Sequence, residues 1–118
     1  MTKNAEQEHD PSKYRRFERV DISFDAGVEV LDSKGKKIGM LRQLGRGGFM
    51  MEPEKSYSKD GKTHKFVLYE PQEDIRATVN ARVLYSDTRY VGLEFVDLDP
   101  DNAVELGIII GKYYEAGK

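Results

Sequence analysis

Three arginines close to the N-terminus carry the clearest chemistry in this sequence. Arg15, Arg16 and Arg19 fall within Tyr14-Arg15-Arg16-Phe17-Glu18-Arg19. A guanidinium is a planar fork. It donates two parallel hydrogen bonds to a phosphate and also stacks on a base. Several such forks on a flexible segment beside a rigid wall can fold over an anion and be ordered by it. The structural alternative is a basic patch before a strand, with Phe17 anchoring the chain.

A second cluster, Gly45-Arg46-Gly47-Gly48, follows Gln43 and Leu44. It lacks the Gly-Lys-Ser/Thr ending of a phosphate-binding P-loop. It also precedes a strand and not a helix, so no helix N-terminus is aimed at a phosphate. On local features it reads first as a tight turn or bulge, since glycine takes positive φ freely.

Little else suits catalysis. His9 lies in a polar N-terminal stretch and His64 in a polar loop, with no metal-ligand spacing between them. The serines have no nucleophile-elbow glycines around them. Carboxylates are abundant but fall on solvent faces of strands or in turns. No acid–base or nucleophile constellation emerges, so the sequence predicts a binding module and not an enzyme. With no cysteine in the chain, disulfides, thiol chemistry and cysteine-ligated metal are excluded.

The elements that must position these residues are mostly strands. Val20, Ile22, Phe24, Ala26, Val28 and Val30 alternate with polar residues, the mark of a half-buried strand. Gly27 offers a bend midway. Asp32-Ser33-Lys34-Gly35 supplies a hairpin turn. The next strand runs from about Lys37 to Leu44, with Ile38, Met40 and Leu44 inward. Phe49-Met50-Met51 is a short strand, Pro53 to Lys65 a polar loop, and Phe66 to Tyr69 another strand closed by Pro71. Ile75, Ala77, Val79, Ala81, Val83 and Tyr85 form the apolar face of a long strand. Ser86 to Arg89 turns the chain into Val91, Leu93 and Phe95. A helix follows from about residue 100, with Asp99 as N-cap and Pro100 in its first position. Ala103, Leu106, Ile110 and Tyr113 share one of its faces. Six or so strands and one amphipathic helix read as a small antiparallel barrel capped by a helix.

At 118 residues the chain has room for one domain. Residues 1–13 are polar, have little to bury and are expected to form a flexible tail. They lack the apolar core of a signal peptide. The run from Leu106 to Ile110 is too short for a bilayer. The sequence therefore predicts a cytoplasmic protein with no membrane insertion. Its formal net charge is -2, whereas a general nucleic-acid binder needs a positive excess. A small anionic ligand suits it better than a polymer. The alternative of an OB-type barrel, stacking bases on Tyr57, Tyr69, Tyr85 and Tyr90, is opposed by that acidity.

Taken together, Arg15-x-x-x-Arg19, the alternating strand and Gln43-x-Gly45-x-x-Gly48 resemble the PilZ family, bacterial receptors for cyclic di-GMP. Val91-Gly92-Leu93-Glu94-Phe95 is similar to the family's late Gly-x-x-Phe strand. The resemblance covers nearly everything from Tyr14 to the C-terminal helix. It implies an all-β-dominated fold, a six-stranded antiparallel barrel with a C-terminal helix spanning 14–118. It also implies that Arg15, Arg16 and Arg19 hold phosphates and stack on guanine. Gln43, Gly45, Arg46, Gly47 and Gly48 would contact the base and phosphate through side chain and backbone. The ligand is then cyclic di-GMP, with no cofactor or metal, and an unidentified effector protein receives the signal.

The second motif departs from the family's Asp/Asn-x-Ser-x-x-Gly. Asp accepts from two guanine N–H groups with charge assistance; Gln43 is neutral, and Gly45 has no hydroxyl. Each lost bond to a charged group costs about 1–3 kcal/mol. Arg46 can offset part of that through a further contact. The alternative function is a degenerate PilZ-like adaptor that binds a protein partner without nucleotide.

Overall fold

The alternation that begins at Val20 does not remain one strand. A computed structural model describes residues 19–55, 57 and 59–116. Val20–Asp21 forms β1, Phe24–Ala26 a single 3-10 turn, and Glu29–Leu31 forms β2. Ser23 starts the turn by accepting a hydrogen bond from the Asp25 N–H at 3.2 Å. Gly27 ends it in the left-handed region, at φ 72°, where glycine is favoured. The predicted bend at Gly27 is therefore a break between two strands. Val20, Ile22, Val28 and Val30 are buried as expected, but Phe24 on the turn is 53% exposed.

Asp32 closes the next hairpin. Its carboxylate accepts the backbone N–H groups of Lys36 and Lys34, both at 2.9 Å. Those bonds, with Lys36 the larger effect, hold it below the usual carboxylate range. Lys37–Leu44 forms β3. A bulge between Leu41 and Gln43 shifts its phase. Leu41 consequently joins Leu44 in the core while Ile38 is only half-buried.

Gly48–Pro53 forms β4, Thr63–Glu70 β5, Ile75–Ser86 β6, Val91–Phe95 β7 and Pro100–Ala116 α1. β5 is longer than Phe66 to Tyr69, because it pairs with β6 from Thr63 opposite Arg82 to Glu70 opposite Ile75. His64 therefore lies in a strand, half-buried, and not in a loop. Its Nε2 is 2.7 Å from Asp60 Oδ2.

Among the described residues the sheet is seven-stranded and antiparallel, in the order β1-β3-β2-β5-β6-β7-β4. β4 also pairs back onto β3. That pairing closes six strands into a barrel and leaves β1 as an extra strand on the end of β3. The six-stranded antiparallel barrel with a C-terminal helix is the fold the sequence predicts. Closure removes most of the free strand edges.

Leu41, Leu44, Met51, Phe66, Leu68, Val79, Val83 and Val91 fill the core. Asp99 caps α1, accepting from the Asp101 N–H at 2.8 Å. Leu106 and Ile110 pack inward as expected, Ala103 and Tyr113 are half-buried, and Ile109 adds a third fully covered side chain. No helix among the described residues is long and apolar enough to cross a membrane.

The expectation that carboxylates stay in solvent fails at Glu70, which is fully buried. It accepts from the N–H groups of Gln72 and Glu73, each at 2.9 Å. It also accepts from Lys112 Nζ at 3.0 Å and the Tyr113 hydroxyl at 3.3 Å. A buried charge is stable only when so satisfied. This cluster ties the β5–β6 turn to α1.

Candidate functional site

The site is built on the turn between β3 and β4. The Gly45 N–H donates to the Gly48 carbonyl at 3.0 Å, so the Gly45–Gly48 cluster is a tight hairpin turn. Gly45 is buried, while Arg46 and Gly47 are exposed. Gly48 is fixed by packing. Opposite Glu94 in the β4–β7 pair, a Cβ there would stand 2.1 Å from the Leu93 carbonyl oxygen. Gly47 has open space around it.

β1 brings Arg19 to the same place. Val20 lies opposite Leu44 and Asp21 opposite Gln43. Arg19, one residue earlier, therefore arrives beside the glycine turn. Arg19, Gln43, Gly45, Arg46, Gly47 and Gly48 line one cavity of about 290 Å³. Arg15 and Arg16 lie outside the described residues, as do Tyr14, Phe17 and the expected tail 1–13. The cavity sits on the outer face of the barrel and is completed by residues including Met50, Leu84, Tyr85, Gly92 and Glu94. Its volume is just below the roughly 300–1,000 Å³ common for small-molecule sites.

Charge pairing separates the arginines. Arg42 reaches Glu52 at 2.7 Å, Arg82 reaches Glu94 at 2.5 Å and Arg76 reaches Asp74 at 3.8 Å. Arg89 lies over the Tyr90 ring, 5.0 Å from its centroid. Arg19 and Arg46 line the cavity, and among the described residues neither has an acidic partner. Two uncompensated guanidiniums at one concave surface attract an anion. Glu94 also lines the cavity, but its charge is matched by Arg82. Gln43 donates from Nε2 to Asp21 Oδ1 at 3.1 Å, which leaves its carbonyl oxygen as an acceptor. No group of histidines and carboxylates among the described residues could hold a metal ion.

Sequence patterning misplaced Tyr85. Tyr57, Tyr69 and Tyr90 are half-buried, and Tyr85 is 48% exposed. A register shift between Val83 and Tyr85 moves Tyr85 from the expected inner face to the outer one. The signal for it is the adjacent pair Leu84-Tyr85, which breaks the strict alternation ending at Val83.

The chain matches the PilZ domain family over residues 13–110, a span that takes in both motif regions. No curated protein matches it. Among solved structures, it is similar to the PilZ domain of CeSA from a cellulose-synthesizing bacterium, with a TM-score of 0.53 and 14% identity. That likeness covers 72% of this chain and 88% of the other and concerns the fold alone. With the barrel, its C-terminal helix and the family match over most of its length, the chain belongs to the PilZ domain family, a family of cyclic di-GMP receptors.

Proposed function

We propose that this protein is a cyclic di-GMP receptor that works as an adaptor and not as an enzyme. The observation that carries the reading is the meeting of Arg19 and Arg46, neither with an acidic partner among the described residues, with Gln43 at one cavity. The dinucleotide brings two phosphates and two guanines. Arg19 and Arg46 bind phosphate oxygens, and Arg15 and Arg16 join them from the preceding segment. The Gln43 carbonyl accepts from a guanine N–H, and the exposed turn at Gly47 lets backbone approach the ligand. Since the cavity is small for a whole dinucleotide, the ligand is held partly against its mouth. The segment before Arg19 closes over it and changes the surface that an effector protein meets. The protein works in the cytoplasm and binds neither nucleic acid nor membrane.

A second reading rests on one specific feature. Gln43 is neutral and Gly45 lacks a hydroxyl, so the base is held by fewer bonds than the family motif provides. In that reading the domain is an adaptor for a protein partner and takes no nucleotide.

Calorimetric titration with cyclic di-GMP separates the two. The expected result is saturable binding, weakened about tenfold or more in Arg19→Ala. No heat at high ligand concentration rejects the nucleotide reading and leaves the adaptor.

A further inference from the structure

A carboxylate shares the cavity with the two arginines. Among the described residues that line it, Glu94 alone carries a negative charge. An acid there works against phosphate binding, because it repels the anion that Arg19 and Arg46 attract. Its setting points to another use. Glu94 lies opposite Arg82 of β6 on one side and opposite Gly48 of β4 on the other. Arg82 Nε donates to Glu94 Oε2. Among the described residues no hydrogen bond reaches Oε1. On the β4 side Gly48 has no side chain, and the nearby Leu93 carbonyl excludes one. That flank is bare backbone, open to a flat ligand. The Glu94 side chain keeps 32% of its surface exposed, so it is accessible and yet partly sheltered from water.

An ionised carboxylate only accepts hydrogen bonds, and its two oxygens match a pair of neighbouring donors. Guanine presents such a pair on its Watson–Crick edge, N1–H beside the N2 amine. Adenine presents one donor there, the N6 amine, beside an N1 lone pair that a carboxylate repels. We infer that Glu94 reads the base: it accepts from the donor edge of one guanine and thereby selects guanine over adenine. This rests on the nucleotide reading above and deepens it by naming the residue that selects the base. Each carboxylate oxygen has two lone pairs, so the bond from Arg82 leaves room for both guanine donors. Arg82 also offsets the charge and limits repulsion of the phosphates. Gln43 is a neutral acceptor; Glu94 adds the charged one, whose hydrogen bonds are stronger.

The test titrates cyclic di-GMP and cyclic di-AMP into the full chain and into Glu94→Gln, which is close in shape but neutral. Wild type is expected to prefer cyclic di-GMP by about tenfold or more. The variant is expected to bind cyclic di-GMP about tenfold or more weakly than wild type does. Its affinity for cyclic di-AMP should stay the same or rise, because the glutamine amide donates to adenine N1. An acid that served Arg82 alone gives the opposite sign: its removal leaves the cavity more positive, so both nucleotides bind equally well or more tightly. Cyclic di-IMP tests the same contact without a mutation. Its base keeps N1–H but lacks the amine, and wild type is expected to bind it about tenfold more weakly than cyclic di-GMP. Thermal unfolding reports that the variant is folded. Cyclic di-GMP binding by wild type with unchanged or raised affinity in Glu94→Gln overturns the base-reading role and leaves the nucleotide reading intact. An equal loss for both nucleotides in the variant does the same, as does cyclic di-IMP binding as tight as cyclic di-GMP. Absence of cyclic di-GMP binding by wild type overturns both.

Discussion

Gln43 and Asp21 face each other across the β1–β3 pair, joined by a 3.1 Å hydrogen bond from amide to carboxylate. The family motif has Asp or Asn at the position of Gln43. An acid there would stand directly opposite Asp21, and like charges facing across strands repel. The neutral side chain and the neighbouring acid therefore suit one another. Gln43→Asp is expected to lower stability by about 0.2–1 kcal/mol. Adding Asp21→Asn should restore it. A double-mutant cycle by thermal unfolding measures the coupling; strictly additive effects would show that the two side chains do not interact.

The two neighbouring glycines of the turn should behave differently. Gly48→Ala places a methyl group against the Leu93 carbonyl oxygen, where the backbone must move. A loss of about 1–3 kcal/mol is expected. Gly47→Ala meets open space, so its stability should stay within about 0.5 kcal/mol of wild type. Chemical denaturation of both variants checks this. Equal losses would mean that the β4–β7 approach does not decide the residue at 48.

Arg46 is exposed and without an acidic partner among the described residues, so its removal should leave unfolding unchanged. Its effect should be on the ligand. On the proposed reading, Arg46→Ala is expected to weaken cyclic di-GMP binding and to flatten the dependence of affinity on salt, because one phosphate contact would be gone. Titrations at low and moderate salt read the slope. A parallel shift with an unchanged slope would place Arg46 on the base or away from the ligand.

Glu70 links acid stability to the helix. Burial, the largest single effect, pushes its carboxyl up. The Gln72 N–H, the Lys112 ammonium and the Glu73 N–H together outweigh that, so the carboxyl sits below its ordinary 4.5. A group whose folded pKa is depressed stabilises the protein fully above its unfolded pKa. The contribution is lost as pH falls through the folded value. Wild type should therefore lose stability as the pH drops below about 4.5, the ordinary carboxylate value. Glu70→Gln should show a flatter acid limb. At neutral pH the variant should lose stability toward the lower end of about 3–5 kcal/mol, because the Lys112 side chain keeps 20% of its surface in water. Thermal unfolding across pH gives both quantities. A variant as stable as wild type at neutral pH would show that α1 is held by its apolar face alone.

Much of the barrel was legible in the linear pattern. A period of two marks a strand with one covered face whatever its neighbours, so Lys37–Leu44 and Ile75–Ser86 were visible in outline. Asp32 and Asp87 announced turns because their short carboxylates reach backbone N–H groups two to four residues on. Asp99 and Pro100 likewise marked the start of α1 by local chemistry. What failed were features set by partners distant in sequence. The β3 and β6 bulges depend on how β3 meets β4 and how β6 meets β7, so neither Leu41 nor Tyr85 could be assigned to a face by counting alternate residues. Glu70 looked solvated until Lys112 and Tyr113 arrived from the helix.

The same division holds at the site. By itself the sequence determined which groups were available: guanidiniums near the start, glycines in a turn, no thiol and no metal-ligand spacing. Side-chain chemistry belongs to the residue, so it needs no fold to be read. Only the tertiary structure decided that β1 runs beside the end of β3 and delivers Arg19 to Arg46 and Gln43. It also decided which arginines are neutralised by carboxylates, since ion pairing depends on distances of a few ångströms between strands. The glycine at 92 gained its meaning in the same way, from a ring seven residues earlier that folds back across it.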